Sequence, residues 1–291
     1  MKTILYATDF SENSVAALKY AHKMAARLGT RLVICHVFDY PVIMGMEGLD
    51  QPFPHSEENA FKHHRSRLEK FCEKHMGSAW KTPEVQLQAV KNKSILKGIM
   101  SVADEWHAMM IVVGMKGESA LRELIMGSTT KHLIDKAPCP VLAIPDDASD
   151  RPIKTIVYAT DFEEEDVYAI RKLAELAEQF EAEIKIVHIS TKQEYGGEMQ
   201  MEWFREMLEQ KVTYKLMDFK LLLSENIFES LLMYLLEVNA DLMVMLEREQ
   251  KGVLKKLFHR DLVKKMENYA QVPLLSFRKG NHQLFYFSAV L

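Results

Sequence analysis

Two glycines and a Gly-Ser pair in the first half of the chain have the residue types and the spacing that bind phosphate. Gly114 and Gly117 follow an apolar run that predicts a buried strand, and nine residues later Gly127 and Ser128 precede an apolar-periodic segment that predicts a helix. Glycine permits positive φ and a close approach of the backbone to an anion. The first turn of a helix presents N–H groups without intrahelical partners and a partial positive charge. The pattern G-x2-G-x9-G-S therefore predicts a phosphate-binding loop.

The hydroxyl groups next to this motif add to the prediction. Ser128 and Thr129 stand at the predicted helix start, where they can cap the helix or donate hydrogen bonds to a bound oxyanion. The spacing matches neither the P-loop nor the G-x-G-x-x-G fingerprint, so those two nucleotide-binding classes are excluded. A strand–loop–helix turn that uses glycine for geometry alone is the alternative interpretation.

The chain contains an internal duplication. The segment 2–10, KTILYATDF, recurs at 154–162 as KTIVYATDF, and one of the nine positions differs. The offset of 152 residues is about half the chain and far longer than a solenoid repeat. We therefore expect two domains, 1–146 and 152–280, with a short polar linker between them and a C-terminal tail, 281–291, that the sequence does not place.

Apolar strand patterns alternate with helical patterns in both halves, which predicts an α/β fold. Near-continuous apolar strands are typical of parallel sheets covered by helices on both faces. We expect five strands in each half, the first ending at Thr8 and Asp9 and the fourth at Gly114. Ligands bind such sheets beyond the carboxyl ends of the strands. The closing strands, 141–144 and 273–277, would be edge strands, and we expect them to face each other in an internal pseudo-dimer.

The second half has lost the glycine motif. Alignment of the predicted strands puts Leu246 at the position of Gly114, and Arg260 and Asp261 at the positions of the later Gly-Ser pair. Leucine and arginine would fill the space that an anion needs, and a carboxylate would repel a phosphate group. We expect nucleotide binding in the first half only.

Composition limits the other classes of function. The net charge of −4 over 291 residues argues against nucleic acid and anionic membranes as partners. Three widely spaced cysteines and the absence of an 18-residue apolar run predict a cytoplasmic protein with buried thiols and no membrane span. His63 and His64 have no cysteine or carboxylate at ligand spacing, so no metal site is expected.

The chain resembles the universal stress protein family over essentially its whole length, as a tandem member. The resemblance rests on the opening KTILYATDFS, on His36 and Val37 at the end of the second strand, on the glycine motif, and on CPVLAIP at 139–145. It implies a flavodoxin- or Rossmann-like doubly wound domain in each half, with strand order 3-2-1-4-5. It also implies bound ATP, with or without Mg²⁺.

The resemblance assigns a set of nucleotide-binding residues. Asp9 would lie beside the adenosine, Val37 would contact the adenine edge through its backbone, and the residues from Gly127 would hold the triphosphate. Asp9 is also compatible with an Asx turn, and Lys116 with a solvated loop charge. The full predicted set is Ala7, Thr8, Asp9, Val37, Val113, Gly114, Lys116, Gly117, Gly127, Ser128, Thr129 and Thr130.

The function expected from these observations is a stress-response regulator that binds an adenine nucleotide and acts on an unidentified protein partner. A slow ATPase is an alternative, although no catalytic residue can be named, because no acidic metal-holding residue accompanies a phosphate lysine. A nucleotide-independent interaction scaffold is a second alternative. Whether two chains associate into a homodimer stays open.

Overall fold

The computed structural model describes residues 1–39, 56–115, 126–148, 152–191, 196–247 and 272–279. The first half contains β1 (Thr3–Ala7), α1 (Asn13–Leu28), β2 (Arg31–Phe38), α2 (Ser56–Met76), a 3₁₀ turn (Gly77–Trp80), β3 (Val85–Lys91), α3 (Ile95–Glu105), β4 (Ala108–Gly114), α4 (Ser128–Lys136) and β5 (Val141–Ile144). The second half contains β6 (Thr155–Ala159), α5 (Glu164–Phe180), β7 (Glu183–Ser190), α6 (Gly197–Lys211), β8 (Met217–Leu223), α7 (Ile227–Glu237), β9 (Leu242–Glu247) and β10 (Leu274–Arg278).

The ten strands form one continuous sheet in the order β3-β2-β1-β4-β5-β10-β9-β6-β7-β8. Each half has the expected order 3-2-1-4-5, and its strands are parallel. The halves meet where β5 pairs antiparallel with β10, with Leu142 opposite Leu275. This pairing confirms the prediction that the two closing strands face each other. It also pairs backbone N–H and C=O groups that the edge strand of each half would otherwise expose.

Helices cover both faces of the sheet, which is why the strands are apolar on both sides. One core cluster joins α1, α2, α5 and α6 to one face and runs through both halves. A second cluster joins α3, α4 and α7 to the other face. Burial on both faces accounts for strands such as β1, all five of whose residues are buried.

The helices of the first half differ in how their first turns are capped. Ser94 caps α3 by accepting a hydrogen bond from Lys97 N at 3.3 Å. By contrast, Gly127 occupies the N-cap position of α4, so Ser128 is the first helical residue and no side chain caps this helix. The cap that the sequence suggested for Ser128 and Thr129 is therefore wrong, and both hydroxyls stay available for other partners.

Several predicted features lie outside the described residues: Lys116 and Gly117, the altered loop of the second half with Arg260 and Asp261, and the tail 281–291. Within the described ranges, no helix combines the length and the apolar composition that crossing a membrane requires.

Candidate functional site

A cavity of about 480 Å³ opens at the carboxyl ends of β1, β2 and β4 in the first half. Ten of the twelve predicted site residues line it, and the other two, Lys116 and Gly117, lie outside the described residues. The ten are Ala7, Thr8, Asp9, Val37, Val113, Gly114, Gly127, Ser128, Thr129 and Thr130. The fold therefore brings together groups that are more than 100 residues apart in the chain.

The start of α4 forms one end of the cavity and is held firmly against β4. Gly127 N donates to Met115 O at 2.8 Å, and Thr130 Oγ1 donates to Gly114 O at 3.0 Å. These bonds fix the first turn of α4, whose N–H groups have no acceptor within the helix. Gly127 has φ −64°, which any residue can adopt, so glycine serves here by lacking a side chain and not through positive φ. The arrangement is a cradle for an anion.

The turn after β1 forms the floor of the cavity. Asp9 Oδ1 accepts from Ser11 N at 3.0 Å and from Ser11 Oγ at 2.6 Å, which is the Asx turn that the sequence allowed. Thr8 Oγ1 accepts from Phe10 N at 2.9 Å, and Phe10 has φ +66°. Asp9 is nevertheless exposed and lines the cavity. Its structural role in the turn and a role toward a ligand are compatible.

His36 holds this turn to the end of β2. Its Nδ1 lies 2.8 Å from Thr8 O, and since a carbonyl oxygen only accepts, Nδ1 carries the proton and donates. Burial lowers the pKa of His36, so the imidazole is neutral at neutral pH. Its ring packs on Phe10 with 4.2 Å between centroids. Burial also raises the pKa of the neighbouring Cys35 thiol to about 12, so the cavity offers no thiolate nucleophile.

Part of the cavity lining is apolar. Val37 and Val113 line it from the strands, and Ile95 and Ile99 line it from the first turns of α3. Ile95 is 53% exposed, which is unusual for a large apolar side chain. An apolar wall next to a few convergent polar groups is typical of ligand sites. The cavity thus combines an anion cradle with a wall that suits a flat heterocyclic base.

The sequence analysis missed six lining residues: Ser14, Cys35, His36, Arg67, Ile95 and Ile99. Among the described lining residues, Arg67 alone carries a full positive charge, and its guanidinium lies 4.4 Å from the Phe10 ring centroid. Arg67 comes from the polar helix α2, whose pattern gave no sign of contact with the β1 turn. Ile95 and Ile99 were identifiable only as the apolar face of a helix.

The corresponding strand end of the second half carries a leucine. In the strand pairing, Gly114 lies opposite Ile144 and Leu246 lies opposite Phe277, so Leu246 takes the place of Gly114. The next residue, Glu247, is a buried carboxylate. The predicted replacement of glycine by leucine at this strand end is confirmed, and it removes the bare backbone on which the first half's cradle depends.

This doubly wound fold places Gly114 and Gly127 beyond the carboxyl ends of parallel strands, where α/β proteins of this class bind their ligands. The sequence model of the Universal stress protein family matches residues 1–145 and 152–275. The chain therefore belongs to the universal stress protein family, with one family unit in each half.

Individual relatives agree with this assignment. A universal stress protein of Methanocaldococcus jannaschii is 24% identical over 156 residues, which are 49% of this chain and 94% of the relative. A universal stress protein of Thermus aquaticus is 32% identical over 145 residues, 49% of this chain and 98% of the relative. These relatives match about half of the chain, as expected for a tandem arrangement.

Two solved structures match the whole chain. A universal stress protein from Archaeoglobus fulgidus has a TM-score of 0.62 at 16% identity, covering 95% of this chain and 96% of that chain. One from Pseudomonas aeruginosa has a TM-score of 0.60 at 14% identity, covering 98% and 97%. At this identity the likeness shows the fold, including two units in one chain.

Proposed function

We propose that the first half binds ATP in the cavity at the ends of β1, β2 and β4. The observation that carries this proposal is that Gly114, Gly127 and Ser128 line one cavity together with a group of apolar side chains. An anion cradle alone would suit any phosphate compound. The apolar wall beside it favours a phosphate compound that carries a base, and the volume of about 480 Å³ suits a single nucleotide.

Each part of the ligand has a proposed partner. The N–H groups of the first turn of α4, with the hydroxyls of Ser128 and Thr129, would hold the phosphates. Asp9 would accept hydrogen bonds from the ribose, and the backbone of Val37 would meet the adenine edge. Lys116 and Gly117 belong to the same proposed set through the sequence motif.

Any Mg²⁺ would arrive with the phosphates. Within the described residues, no three His, Cys, Asp or Glu side chains are grouped so as to hold a metal ion. Mg²⁺ is usually bound by one or two carboxylates together with substrate phosphates, which does not require such a group. ATP alone and MgATP are therefore both compatible with the residues present.

The second half is proposed to act as the pseudo-dimer partner of the first and to bind no nucleotide at this edge. ATP that binds only the folded first half would stabilise it by mass action and change the surface that it presents. We propose that the protein regulates an unidentified protein partner in a stress response in this way. The three cysteines are buried free thiols, which suits the reducing cytoplasm.

Calorimetric titration of the full chain with ATP tests the proposal. We expect one nucleotide per chain, and no binding in Gly127→Arg, because the new side chain would occupy the cradle. Thermal unfolding without ligand should show that the variant is folded. Absence of heat at millimolar ATP would contradict the proposal, and two nucleotides per chain would contradict the assigned asymmetry. Measuring ADP in the same samples distinguishes binding from slow hydrolysis.

A further inference from the structure

Helix α3 approaches the end of β2 more closely than a side chain at position 98 would allow. Gly98 is buried in the second turn of α3. A Cβ added to it would lie 2.5 Å from Val37 Cγ1, 2.9 Å from Val37 Cγ2 and 3.2 Å from Asn92 Cβ. Distances under 3.0 Å are essentially absent from real proteins. Glycine in a helix costs about 0.5–1 kcal/mol relative to alanine, and glycine nevertheless stands at the position where the close contact leaves no room for a methyl group.

The residues around this contact are the apolar wall of the cavity. Val37 lines the cavity, as do Ile95 and Ile99, which flank Gly98 along α3. The start of α3 is fixed by its cap, in which Ser94 Oγ accepts from Lys97 N, and by the bond from Ser94 N to Asn92 Oδ1 at 2.9 Å. Gly98 therefore sets how far α3 stands from β2, and with it the width of the base end of the cavity.

The second half differs at both positions of this contact. Helix α7 corresponds to α3, and the half-buried Ser230 takes the place of Gly98. At the end of β7, the buried Ile189 takes the place of Val37. Both replacements are larger than the residues of the first half, so the close approach belongs to the half that has the cradle.

We infer that Gly98 is a positioning residue for the nucleotide base: its missing side chain lets α3 rest on Val37 and hold Ile95 and Ile99 at the distance that a purine fills. The inference rests on the proposed nucleotide binding and deepens it. The structure can accommodate a methyl group at position 98 in two ways. Either α3 moves away from β2, or Val37, whose χ1 is stiff, turns a methyl group elsewhere. Both responses change the wall that we place against the base. The hydrogen bonds that hold the start of α4, from Thr130 Oγ1 to Gly114 O and from Gly127 N to Met115 O, involve neither α3 nor β2.

The test compares two probes on the full chain, ATP and inorganic tripolyphosphate, by calorimetry. In Gly98→Ala we expect ATP to bind about tenfold more weakly, since overpacking of this kind typically costs 1–3 kcal/mol. Tripolyphosphate, which has no base, should bind as it does to the wild type. Ser101→Ala is the control, because Ser101 is exposed on the same helix and its replacement by alanine also raises helix propensity, although by less than at Gly98.

A second variant keeps the test independent of folding. In the double variant Gly98→Ala with Val37→Ala, the two γ carbons that the new methyl group meets are gone, so at least part of the lost ATP affinity should return. Equal affinity of wild type and Gly98→Ala for ATP would overturn the inference while leaving ATP binding intact. A parallel loss of tripolyphosphate affinity would also overturn it, as would a double variant that binds ATP no better than the separate losses of Gly98→Ala and Val37→Ala predict together. A wild type that binds no ATP would overturn both proposals.

Discussion

The turn after the first strand has the same backbone geometry in both halves, but the groups beneath it differ. Phe10 and Phe162 have φ +66° and +62°. His36 Nδ1 lies 2.8 Å from Thr8 O, and His188 Nδ1 lies 2.7 Å from Thr160 O. In the second half a buried carboxylate, that of Asp166, supports the turn. It accepts from Tyr158 OH at 2.8 Å, Thr160 Oγ1 at 2.9 Å, Asp161 N at 3.1 Å and Glu163 N at 3.2 Å.

In the first half the same position is Ser14, a small hydroxyl that lines the cavity. Ser14 Oγ lies 3.0 Å from Thr8 Oγ1, and Ser14 O accepts from Tyr6 OH at 2.8 Å. The repeated Thr-Asp-Phe turn is therefore a requirement of the fold and not in itself a sign of ligand binding. The halves differ at the carboxyl ends of these strands. The first half has the hydroxyl of Ser14 and the glycine Gly114, and the second half has the carboxylate of Asp166 and the leucine Leu246. Variants that exchange these groups test whether they account for the difference between the halves.

The largest effect is expected from removing the buried carboxylate of the second half. Asp166→Ala leaves four donors without their acceptor, and we expect the free energy of unfolding to fall by about 3 kcal/mol. Ser14→Ala, the matched change in the first half, should cost about 1 kcal/mol because fewer groups lose a partner. Urea unfolding of both variants measures this. Equal losses would show that the two turns are supported in the same way.

Putting the second half's leucine into the first should abolish the proposed site. Gly114→Leu places a branched side chain at the end of β4, inside the cavity, and we expect ATP affinity to fall about 100-fold in calorimetric titration. The reverse change, Leu246→Gly, is the control. It should not raise the stoichiometry above one, because Asp166 and Glu247 remain. Near-normal ATP binding by Gly114→Leu would show that Gly114 is not part of the proposed site.

The aromatic stack beside the cavity should make the first half acid-sensitive. The ring of His64 lies 4.0 Å from that of Phe38 and 5.2 Å from that of His36. Burial, with the charges of His36, Arg67 and His63, lowers the pKa of His64 from 6.5 to about 4. The unfolded chain therefore binds more protons than the folded chain between these pH values, and stability falls as the pH drops from 6.5 toward 4.

His64→Phe keeps the stacking and removes the titrating group, so its loss of stability between pH 7 and pH 5 should be smaller than that of the wild type. Urea midpoints at the two pH values measure this. The variant should be at least as stable as the wild type at pH 7, because His64 Nδ1 is buried without a partner among the described residues. In the second half, Ser190 and Gly197 take the places of Phe38 and His64, so these two positions carry no aromatic or titrating side chain. An unchanged acid sensitivity would assign the effect to the other histidines of the first half whose pKa burial lowers, His22, His36 and His75.

The smallest effect is expected from the cation at the cavity wall. Arg67→Ala should weaken ATP binding about threefold at low salt, since an exposed charge contributes at most about 1 kcal/mol to a neighbouring anion. Arg65→Ala is the control, because Arg65 lies on the same helix and pairs with Glu69 instead of lining the cavity. The difference between the two variants should shrink at high salt. Equal effects would show that only the net charge matters.

Over the described residues, the sequence was enough to predict the element order, the duplication and the change from Gly114 to Leu246 at the end of the fourth strand of each half. These are local properties, because periodic apolar residues specify strands and helices within one stretch of chain. The facing of the two closing strands also followed from sequence, because an unpaired edge in each half calls for a partner.

Which distant side chains line the same cavity depends on the tertiary structure and could not be predicted from the sequence. Arg67, Ser14 and Ile95 lie on three different helices, and no spacing in the chain relates them to Gly127. The close contact of Gly98 with Val37 depends on the distance between α3 and β2, which packing of the whole layer sets. A sequence pattern names the residues of one element, but the separation between elements depends on every side chain that lies between them.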